Sequence, residues 1–378
     1  MGRFGQPCAS EVLMSDLITL AADLVRIDSR SFVSNLAVAE RIEAELGGFE
    51  IERLDYVDPA GVAKRALVAH RGGPGGLALS GHMDTVPATG WDTDPWSGQI
   101  ADGHLHGLGS TDMKGPVAAC IVAARALPDG VPITLLLTTD EETSKQGARL
   151  IASGSALVRQ VKPTAILVAE PTSLIPVRGH RSAIGFVVTA TGIQAHSSTG
   201  LGRNANWALA PFVLDMRAIY ERLRDDPTLH DAGYNPPFSD FNIVIDNFGA
   251  PVNMTVPKAE VRIKFRYSAR IDPTPIVTAV RDAATRHGLG LVIAAEGPPP
   301  ELPLDHPWLL MCVDMLGRAA MTAPYGTDAA ELQPIAPCVI LGPGDVAVAH
   351  RPAETVEIAQ LEAAVDVFKK LAVQQSHL

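Results

Sequence analysis

The spacing of apolar residues divides the first half of the chain into two helices followed by alternating strands and helices. Apolar residues at helical spacing predict the first helix: Leu13, Leu17, Leu20, Leu24 and Ile27. AVAERIEAEL predicts a second helix, and helix-like segments such as VAACIVAARAL and ARLIASGSALVRQ then separate four apolar runs, RALVAH, LALSGH, ITLLLTT and AILVAE. Such strands alternating with helices predict an α/β fold with a mainly parallel sheet covered on both faces.

A different pattern begins after Glu170, where IGFVVTAT and VRIKFRYSAR alternate strictly between apolar and polar residues. In the second segment Val261, Ile263 and Phe265 share one face, as expected when only one side of a sheet is buried. Helices are predicted through ANWALAPFVLDMRAIYERL and TPIVTAVRDAATRHG, which indicates a small α+β insert. After the proline-rich EGPPPELPLDHP, α/β character returns with a helix from Trp308, a strand PCVILG and a last helix predicted from Thr355.

These changes of pattern predict two domains. Residues 1–179 and 296–378 form a discontinuous α/β domain, and residues 180–295 form the inserted domain. A chain of 378 residues exceeds one ordinary compact core, and its 47% hydrophobic content is enough to build two.

Charge and cysteine content narrow the classes of partner. A net charge of −11, with no cluster of basic and aromatic residues, disfavours nucleic acid. The four cysteines, Cys8, Cys120, Cys312 and Cys338, are scattered without a CxxC pair, which favours a reducing compartment and small buried thiols. No segment reaches the roughly 18 uninterrupted apolar residues of a membrane helix. We therefore expect no membrane association and a cytoplasmic protein.

Residues that bind metals or move protons follow the predicted α/β strands. LALS runs into His82 and Asp84, LLLTT into Asp140-Glu141-Glu142, and ILVA into Glu170, while Asp112 and His350 lie on predicted loops. Ligands bind beyond the carboxyl ends of strands in open α/β sheets, so these side chains could converge. Histidines and carboxylates together suit Zn²⁺, Co²⁺ or Mn²⁺ better than Ca²⁺, which prefers oxygen ligands.

Each of these residues also has an ordinary structural interpretation. His82 alone would more often be a packed histidine, and Glu141 with Glu142 would usually be an acidic pair at a helix N-terminus. Asp112 alone would be a turn residue, and Glu170 before proline a solvated loop end. Their joint placement at strand ends favours a metal site over these alternatives.

Several motifs together resemble the M20 metallopeptidase family, and within it the acetylornithine deacetylases and succinyl-diaminopimelate desuccinylases. They are SGHMDTVP, WDTDPWSGQIADGHLHGLGSTDMKG, TTDEETSKQGAR, VAEPT, GIQAHSS, GTDAAELQ and GPGDVAVAHRP. The match follows the family order over roughly residues 15 to 370. It implies a zinc-peptidase-like catalytic domain with a ferredoxin-like lid and dimerisation domain inserted into it.

The resemblance also implies a dinuclear zinc site, for which Co²⁺ is a possible substitute. The implied ligands are His82, Asp112 as the bridge, Glu142, Glu170 and His350. Asp84 would fix the ring of His82, since carboxylates behind a ligand typically orient it. Glu141 would be the general base that takes a proton from the attacking water and passes it to the leaving amine.

The inserted domain contributes further implied residues. His196 matches the histidine that reaches the active site of a partner subunit and stabilises the oxyanion, which makes a homodimer part of the mechanism. Asn253 and Arg266 match substrate-binding positions of the lid, Arg266 through the substrate carboxylate, and Thr327 would line the pocket. A loop histidine and a solvated strand face are the structural alternatives for His196 and Arg266.

Two further expectations concern the segment around Asp112. The resemblance implies a non-proline cis peptide at Asp112-Met113. His104 and His106, in DGHLHG, could chelate a metal as an H-x-H pair on one strand. They fall at positions that the family fills variably, so we expect surface or packed histidines instead.

The implied activity is removal of an N-acyl group, expected to be acetyl, from an amino acid such as N2-acetylornithine, with a role in arginine biosynthesis. The alternatives within the same chemistry are a succinyl-diaminopimelate desuccinylase, an N-acetyl-diaminobutyrate or acetylcitrulline deacetylase, and a dipeptidase or carboxypeptidase. Asp328 and Glu331 could supply negative charge for a substrate ammonium group or could simply cap a helix or face solvent. The alternative from a different class is an inactive, metal-free binding dimer.

Overall fold

A computed structural model describes residues 9–377, with side chains from residue 13 onward, as two compact units. One unit is Met1–Gly179, Pro300–Met321 and Thr327–Leu378; it corresponds to the expected catalytic domain and is called the catalytic unit below. The inserted unit is His180–Pro299 and Thr322–Gly326. The first boundary coincides with the expected position, and the second lies four residues later than expected. Thr322–Gly326 belongs to the inserted unit because it forms hydrogen bonds with residues of that unit. For example, Thr322 Oγ1 donates to the Gly233 carbonyl.

Ten α-helices occur among residues 9–377. Their bounds are α1 (Ala9–Arg26), α2 (Leu36–Glu43), α3 (Lys114–Arg125), α4 (Gln146–Gly154), α5 (Ala156–Val161), α6 (Asn206–Asp225), α7 (Thr274–Arg286), α8 (Pro307–Leu316), α9 (Ala329–Leu332) and α10 (Ile358–Gln375). None of these helices combines the length and the apolar character needed to cross a bilayer.

Fifteen β-strands occur in the same part of the chain. Their bounds are β1 (Glu50–Val57), β2 (Ala63–Arg71), β3 (Leu77–His82), β4 (Gln99–Ala101), β5 (His104–His106), β6 (Ile133–Thr138), β7 (Ala165–Val168), β8 (Val177–His180), β9 (Ser182–Thr191), β10 (Asp240–Asp246), β11 (Lys258–Tyr267), β12 (Gly290–Ala295), β13 (Met321–Ala323), β14 (Cys338–Ile340) and β15 (Thr355–Glu357).

The catalytic unit is built on an eight-stranded sheet with the order β1-β2-β6-β3-β7-β14-β8-β13. Its four central strands, β6, β3, β7 and β14, run parallel, whereas β1, β2 and β8 pair antiparallel beside them. The sheet is therefore mixed, with a parallel centre. Each of the four central strands is buried along its whole length, as their continuously apolar sequences predict.

Helix α3 packs beneath the loop that carries Asp112, and a glycine makes this close approach possible. A Cβ atom on Gly115 would lie 2.2 Å from the carbonyl oxygen of Ser110. Every residue of α3 except Arg125 is buried. The Lys-Gly pair after Asp112-Met113 thus starts a core helix directly behind the loop, which fixes where that loop can lie.

The inserted unit has the βαββαβ order β9-α6-β10-β11-α7-β12 and a four-stranded antiparallel sheet in the order β10-β11-β9-β12. This is the ferredoxin-like arrangement that was expected. Val261, Ile263 and Phe265 are buried in its core, which confirms the predicted one-sided burial of β11. The unit has its own apolar core, separate from that of the catalytic unit.

Two local predictions differ from the structure, and some strands were not predicted. The segment ARLIASGSALVRQ forms two helices, because Ser155 ends α4 and its hydroxyl then caps α5 by accepting the Val158 N–H at 3.0 Å. Thr355 begins strand β15, and the last helix begins only at Ile358. Strand β1 was not predicted. Cys120, Cys312 and Cys338 are free and buried as expected, and Cys8 lies outside the described residues.

Candidate metal centre

His82 is the last residue of strand β3, and its ring is oriented by main chain. Nδ1 lies 2.9 Å from the carbonyl oxygen of Asp84, and because a carbonyl only accepts, Nδ1 carries the proton that is donated to it. Nε2 is therefore the atom available as a ligand. It lies 2.9 Å from Asp112 Oδ1 and 3.9 Å from Glu170 Oε1, in a position where the histidine is almost completely buried.

The carboxylate of Asp84 has a different role from the one expected. It lies 3.6 Å from His82 Nδ1, but it accepts hydrogen bonds from the Ser31 hydroxyl at 2.7 Å and from the backbone N–H groups of Glu141 and Glu142 at 3.2 and 3.3 Å. The main chain of Asp84 thus orients His82, while its side chain holds the Glu141-Glu142 backbone in place.

Asp112 lies between two histidines. Its Oδ1 faces His82, and its Oδ2 lies 3.2 Å from Nε2 of His350, which is also 3.1 Å from Glu142 Oε1. His350 has a φ of 59°, a left-handed conformation that is uncommon outside glycine and that clusters at functional sites. The peptide bond between Asp112 and Met113 is cis, which confirms that expectation.

These side chains form two groups that share one residue. Group one is His82, Asp112 and Glu170, and group two is Asp112, Glu142 and His350. Within each group the potential ligand atoms lie within 4.8 Å of one another. The structure therefore brings together all five residues that the sequence put forward as ligands, with Asp112 presenting one oxygen to each group.

The electrostatics of the two groups favour a cation. Burial raises the pKa of Glu142 to about 8, and the negative charge of Asp112 adds to the rise. Burial also raises the pKa of Glu170, again with help from Asp112. Hydrogen bonds to Asp112 and Glu142 raise the pKa of His350 to about 11. Although burial opposes the change, hydrogen bonds with His350 and His82 hold the pKa of Asp112 below its ordinary range.

The donor set fits a divalent transition metal. Three carboxylates crowd two imidazoles, with group one buried and His350 exposed at the other side, so the charged carboxylates repel one another unless a cation lies among them. Mixed nitrogen and oxygen donors suit Zn²⁺ or Co²⁺ and argue against Ca²⁺. On the chemistry of these donors, the residues present fit a metal in each group.

Glu141 belongs to neither group, although it directly precedes Glu142 in the sequence. Its carboxylate Oε1 lies 3.0 Å from Nζ of Lys145, in a largely buried position. Adjacent residues therefore point to different places: Glu142 faces His350, and Glu141 faces Lys145. This separation leaves Glu141 available for proton transfer.

A buried network behind these residues was not predicted from the sequence. Lys64 forms an ion pair with Asp140 at 2.8 Å, and the Tyr56 hydroxyl donates to the same carboxylate at 2.6 Å. Lys64 also donates to the carbonyl oxygen of Val33 at 2.9 Å. Because Asp140 precedes Glu141 directly, the network anchors the start of the Glu141-Glu142 segment. A lysine within a strand gives no sequence signal of this contact.

A second unpredicted residue is Glu354, which is almost completely buried. Its Oε1 accepts the N–H groups of Thr111 and Asp112 at 2.8 and 2.9 Å. Burial, together with the charge of Asp112, raises the pKa of Glu354 to about 7. In the sequence, only its position four residues after His350 indicated that Glu354 could lie near the ligand groups.

The inserted unit carries three of the expected residues at two places. His196 and Asn253 are exposed neighbours: His196 bridges to Met254, and Ser197 N–H donates to the Asn253 carbonyl at 2.9 Å. Arg266 lies near the far end of β11, where its Nη1 is 2.6 Å from Asp240 Oδ2. His196 and Arg266 are therefore not brought together within this unit.

The remaining candidates have structural contacts. Thr327 is buried, and its hydroxyl accepts the Ala329 N–H at 3.1 Å at the start of α9. Glu331 pairs with Arg149 at 3.0 Å. Asp328 is buried and accepts a hydrogen bond from Thr138, and burial with the charge of Glu141 raises its pKa to about 7.

The H-x-H pair on β5 is separate from both groups. His104 Nδ1 lies 2.8 Å from the carbonyl oxygen of Asp102, and His106 Nε2 lies 3.4 Å from that of Ala101. Among the residues that the structure describes, neither histidine belongs to a cluster of three potential metal ligands.

Comparison with known proteins decides the family. Residues 78–374 match the sequence model of peptidase family M20/M25/M40. The chain belongs to this family. It is 31% identical to acetylornithine deacetylase from Proteus mirabilis over 360 residues, covering 91% of both proteins. It is also 31% identical to acetylornithine deacetylase from Vibrio vulnificus, covering 89% of this chain and 90% of that protein.

Solved structures show the same fold at lower sequence identity. The dipeptidase Dug1p from Saccharomyces cerevisiae matches with a TM-score of 0.77 at 14% identity, covering 98% of this chain and 99% of that one. Human carnosine dipeptidase 1 matches with a TM-score of 0.73 at 16% identity, covering 98% of both chains. This M20 protein is accordingly an amidohydrolase of a metallohydrolase family, and its two groups are the candidate metal site.

Proposed function

We propose that this protein is a dinuclear zinc hydrolase that removes the acetyl group from an N-acetyl amino acid such as N2-acetylornithine. The observation that carries the proposal is the pair of ligand groups sharing Asp112, with Glu141 beside them but in neither. The acetylornithine deacetylases among the relatives support the substrate. Such an activity would place the enzyme in arginine biosynthesis.

The proposed ligands are His82, Asp112 and Glu170 for one zinc and Asp112, Glu142 and His350 for the other. Bound zinc would supply Lewis-acid polarisation of the acyl carbonyl and would acidify a water molecule. All five ligand side chains lie at or after the carboxyl ends of strands or on the loops beside them, so the rigid parallel strands position them.

Glu141 has the proton-transfer role in this proposal. It accepts the proton of the attacking water and gives it to the amine nitrogen as the amide bond breaks. Two contacts hold Glu141 in position, since Asp84 accepts its backbone N–H and Lys145 pairs with its carboxylate. Because Asp84 also accepts the N–H of Glu142, one buried carboxylate fixes the relative position of base and ligand.

The first test is metal dependence combined with substrate choice. The metal-free protein is expected to be inactive toward N2-acetylornithine and to regain activity with two equivalents of Zn²⁺ or Co²⁺. The same screen includes N-succinyl-diaminopimelate, acetylcitrulline, N-acetyl-diaminobutyrate and dipeptides, with release of free amine as the measurement. Preference for one of these would replace the acetylornithine assignment. A protein that binds no metal and hydrolyses nothing would instead support an inactive binding dimer.

We also propose a homodimer in which the inserted unit serves two active sites. His196 and Asn253 lie near the Lys258 end of β11, and Arg266 lies near its other end. Eight residues of strand span about 26 Å at roughly 3.3 Å per residue, which is longer than a small amino acid derivative. The two sets therefore act on different substrate molecules, in keeping with His196 acting in a partner's site.

Exposed apolar residues on α6 support the dimer. Trp207 and Leu214 are 79% and 66% exposed, and their seven-residue spacing places them on one helix face. Trp207→Glu is expected to convert a dimer to a monomer and to lower kcat by about 10²–10³-fold through loss of the partner's oxyanion donor. Light scattering after size-exclusion chromatography and turnover measure the two effects. Val57→Glu, at an exposed apolar residue of the catalytic unit, is the control that should change neither.

A further inference from the structure

Glu354 is a buried carboxylate that contacts the shared ligand through the main chain. Its Oε1 accepts the N–H groups of Thr111 and Asp112 at 2.8 and 2.9 Å. Its Oε2 is buried without a hydrogen-bond partner among the described residues. The hydrogen bonds to Oε1 therefore come from backbone N–H groups.

The segment around Glu354 is joined to the Asp112 loop at further points. The Gly107 N–H donates to the Glu354 carbonyl at 3.1 Å, and the Thr111 hydroxyl donates to the Thr355 carbonyl at 2.6 Å. Strand β15, which starts at Thr355, pairs antiparallel with β5 just before this loop. The loop from 107 to 112 is therefore attached near both of its ends to Glu354 and Thr355.

The same short segment supplies a ligand of group two. His350 lies four residues before Glu354, and its Nε2 is 3.2 Å from Asp112 Oδ2. Residues 350–354 thus touch Asp112 from two directions: His350 through the carboxylate and Glu354 through the backbone. Any shift of this segment would move a ligand of group two and the shared ligand together.

From this geometry we infer that Glu354 is a positioning residue for Asp112, holding the Thr111-Asp112 backbone so that one carboxylate oxygen faces His82 and the other faces His350. The inference rests on the proposed function, because it assigns Glu354 a role in metal affinity. Two N–H groups converging on one carboxylate oxygen form a charge-assisted contact, and partners that orient ligands in this way typically contribute 10–100-fold to metal affinity or activity.

The experiment compares metal binding by the full-length metal-free wild type, Glu354→Gln and Glu354→Ala. Co²⁺ is added in steps, and visible absorption gives the affinity and the number of ions bound. Glu354→Gln keeps an oxygen that can accept the two N–H groups but loses the charge, whereas Glu354→Ala leaves both without an acceptor. We expect Co²⁺ affinity in the order wild type, Gln, Ala, with the alanine variant about 10–100-fold weaker than the wild type.

Thermal unfolding with and without Co²⁺ distinguishes a purely structural role of Glu354 from a role in metal binding. Loss of stability alone would lower the unfolding temperature equally in both conditions, whereas weaker metal binding reduces the increase that Co²⁺ produces. Glu357→Gln is the matched control, because this exposed glutamate lies three residues after Glu354, on strand β15, and bonds only weakly to Gln360, at 3.4 Å.

The outcomes distinguish the inference from the proposed function. Weaker Co²⁺ binding in the Glu354 variants, with wild-type binding in the Glu357 variant, supports the positioning role. If both Glu354→Gln and Glu354→Ala bind Co²⁺ with wild-type affinity, the inference is overturned and the proposed function stays intact. If the alanine variant does not fold, wild-type affinity in the glutamine variant is enough to overturn the inference. A wild-type protein that binds no Co²⁺ overturns both.

Discussion

Glu141→Gln is expected to lower kcat by about 10²–10⁴-fold while leaving the metal content unchanged, since general acid-base catalysis contributes about that factor. The side chain belongs to neither ligand group, so the substitution removes a proton acceptor and no metal ligand. Glutamine also retains an oxygen that can accept from Lys145, which lies 3.0 Å from the carboxylate. Turnover of N2-acetylornithine and metal analysis of the purified variant measure the two quantities.

The neighbouring residue provides the contrast for this prediction. Glu142→Gln makes the same chemical change one residue later, but it alters a member of group two that lies 3.1 Å from His350. We expect this variant to lose metal as well as activity. Equal metal loss in both variants would show that Glu141 is a ligand and not the base, and full activity in Glu141→Gln would remove it from proton transfer.

The positions of the ligands could be predicted because the parallel strands impose them. His82 ends β3, Glu142 follows β6, and Glu170 follows β7, and the carboxyl ends of these strands meet at one edge of the sheet. Buried parallel strands have continuous apolar sequences, so their ends are visible in the pattern. Asp112 and His350 lie on loops, where strand ends do not set the position, and the resemblance to known motifs was needed to assign them as ligands.

The residues that support the ligands could not be predicted in this way. Glu354 reaches the Asp112 loop across 242 residues of sequence, and Lys64 reaches Asp140 from a neighbouring strand. Neither occupies a position that hydrophobic periodicity marks, because their contacts depend on the finished fold. The role of the Asp84 carboxylate was missed for a related reason: its bonds go to backbone N–H groups, which every residue but proline possesses.

Strands β15 and β1 were missed for other physical reasons. Strand β15 has only three residues and is held by pairing with β5, so tertiary contacts override the helical pattern that continues after it. Strand β1 is half exposed and rich in charged residues, and it lies at the edge of the sheet, where such sequences limit unwanted pairing. Neither strand contains a member of the two ligand groups, so the site was predictable although the sheet was incomplete.

Asp112→Asn is expected to remove both metals and to lower kcat/KM by at least about 10³-fold. The reason is that Asp112 is the one residue common to the two groups, with Oδ1 2.9 Å from His82 and Oδ2 3.2 Å from His350. Metal polarisation of a carbonyl contributes several kcal/mol, and about 1.4 kcal/mol corresponds to a tenfold change in rate. Metal analysis, Co²⁺ titration and turnover measure the effect, and circular dichroism verifies that the variant is folded.

Substitutions of ligands other than Asp112 test whether Asp112 binds both metal ions or only one. Glu170→Gln changes group one alone and His350→Asn changes group two alone, so each is expected to keep one tightly bound Co²⁺ per chain where Asp112→Asn keeps none. This difference follows only if one carboxylate serves both ions. If the two sites were independent, each of the three variants would lose one ion and keep the other. One Co²⁺ retained by Asp112→Asn would therefore contradict the bridging assignment and limit Asp112 to one group.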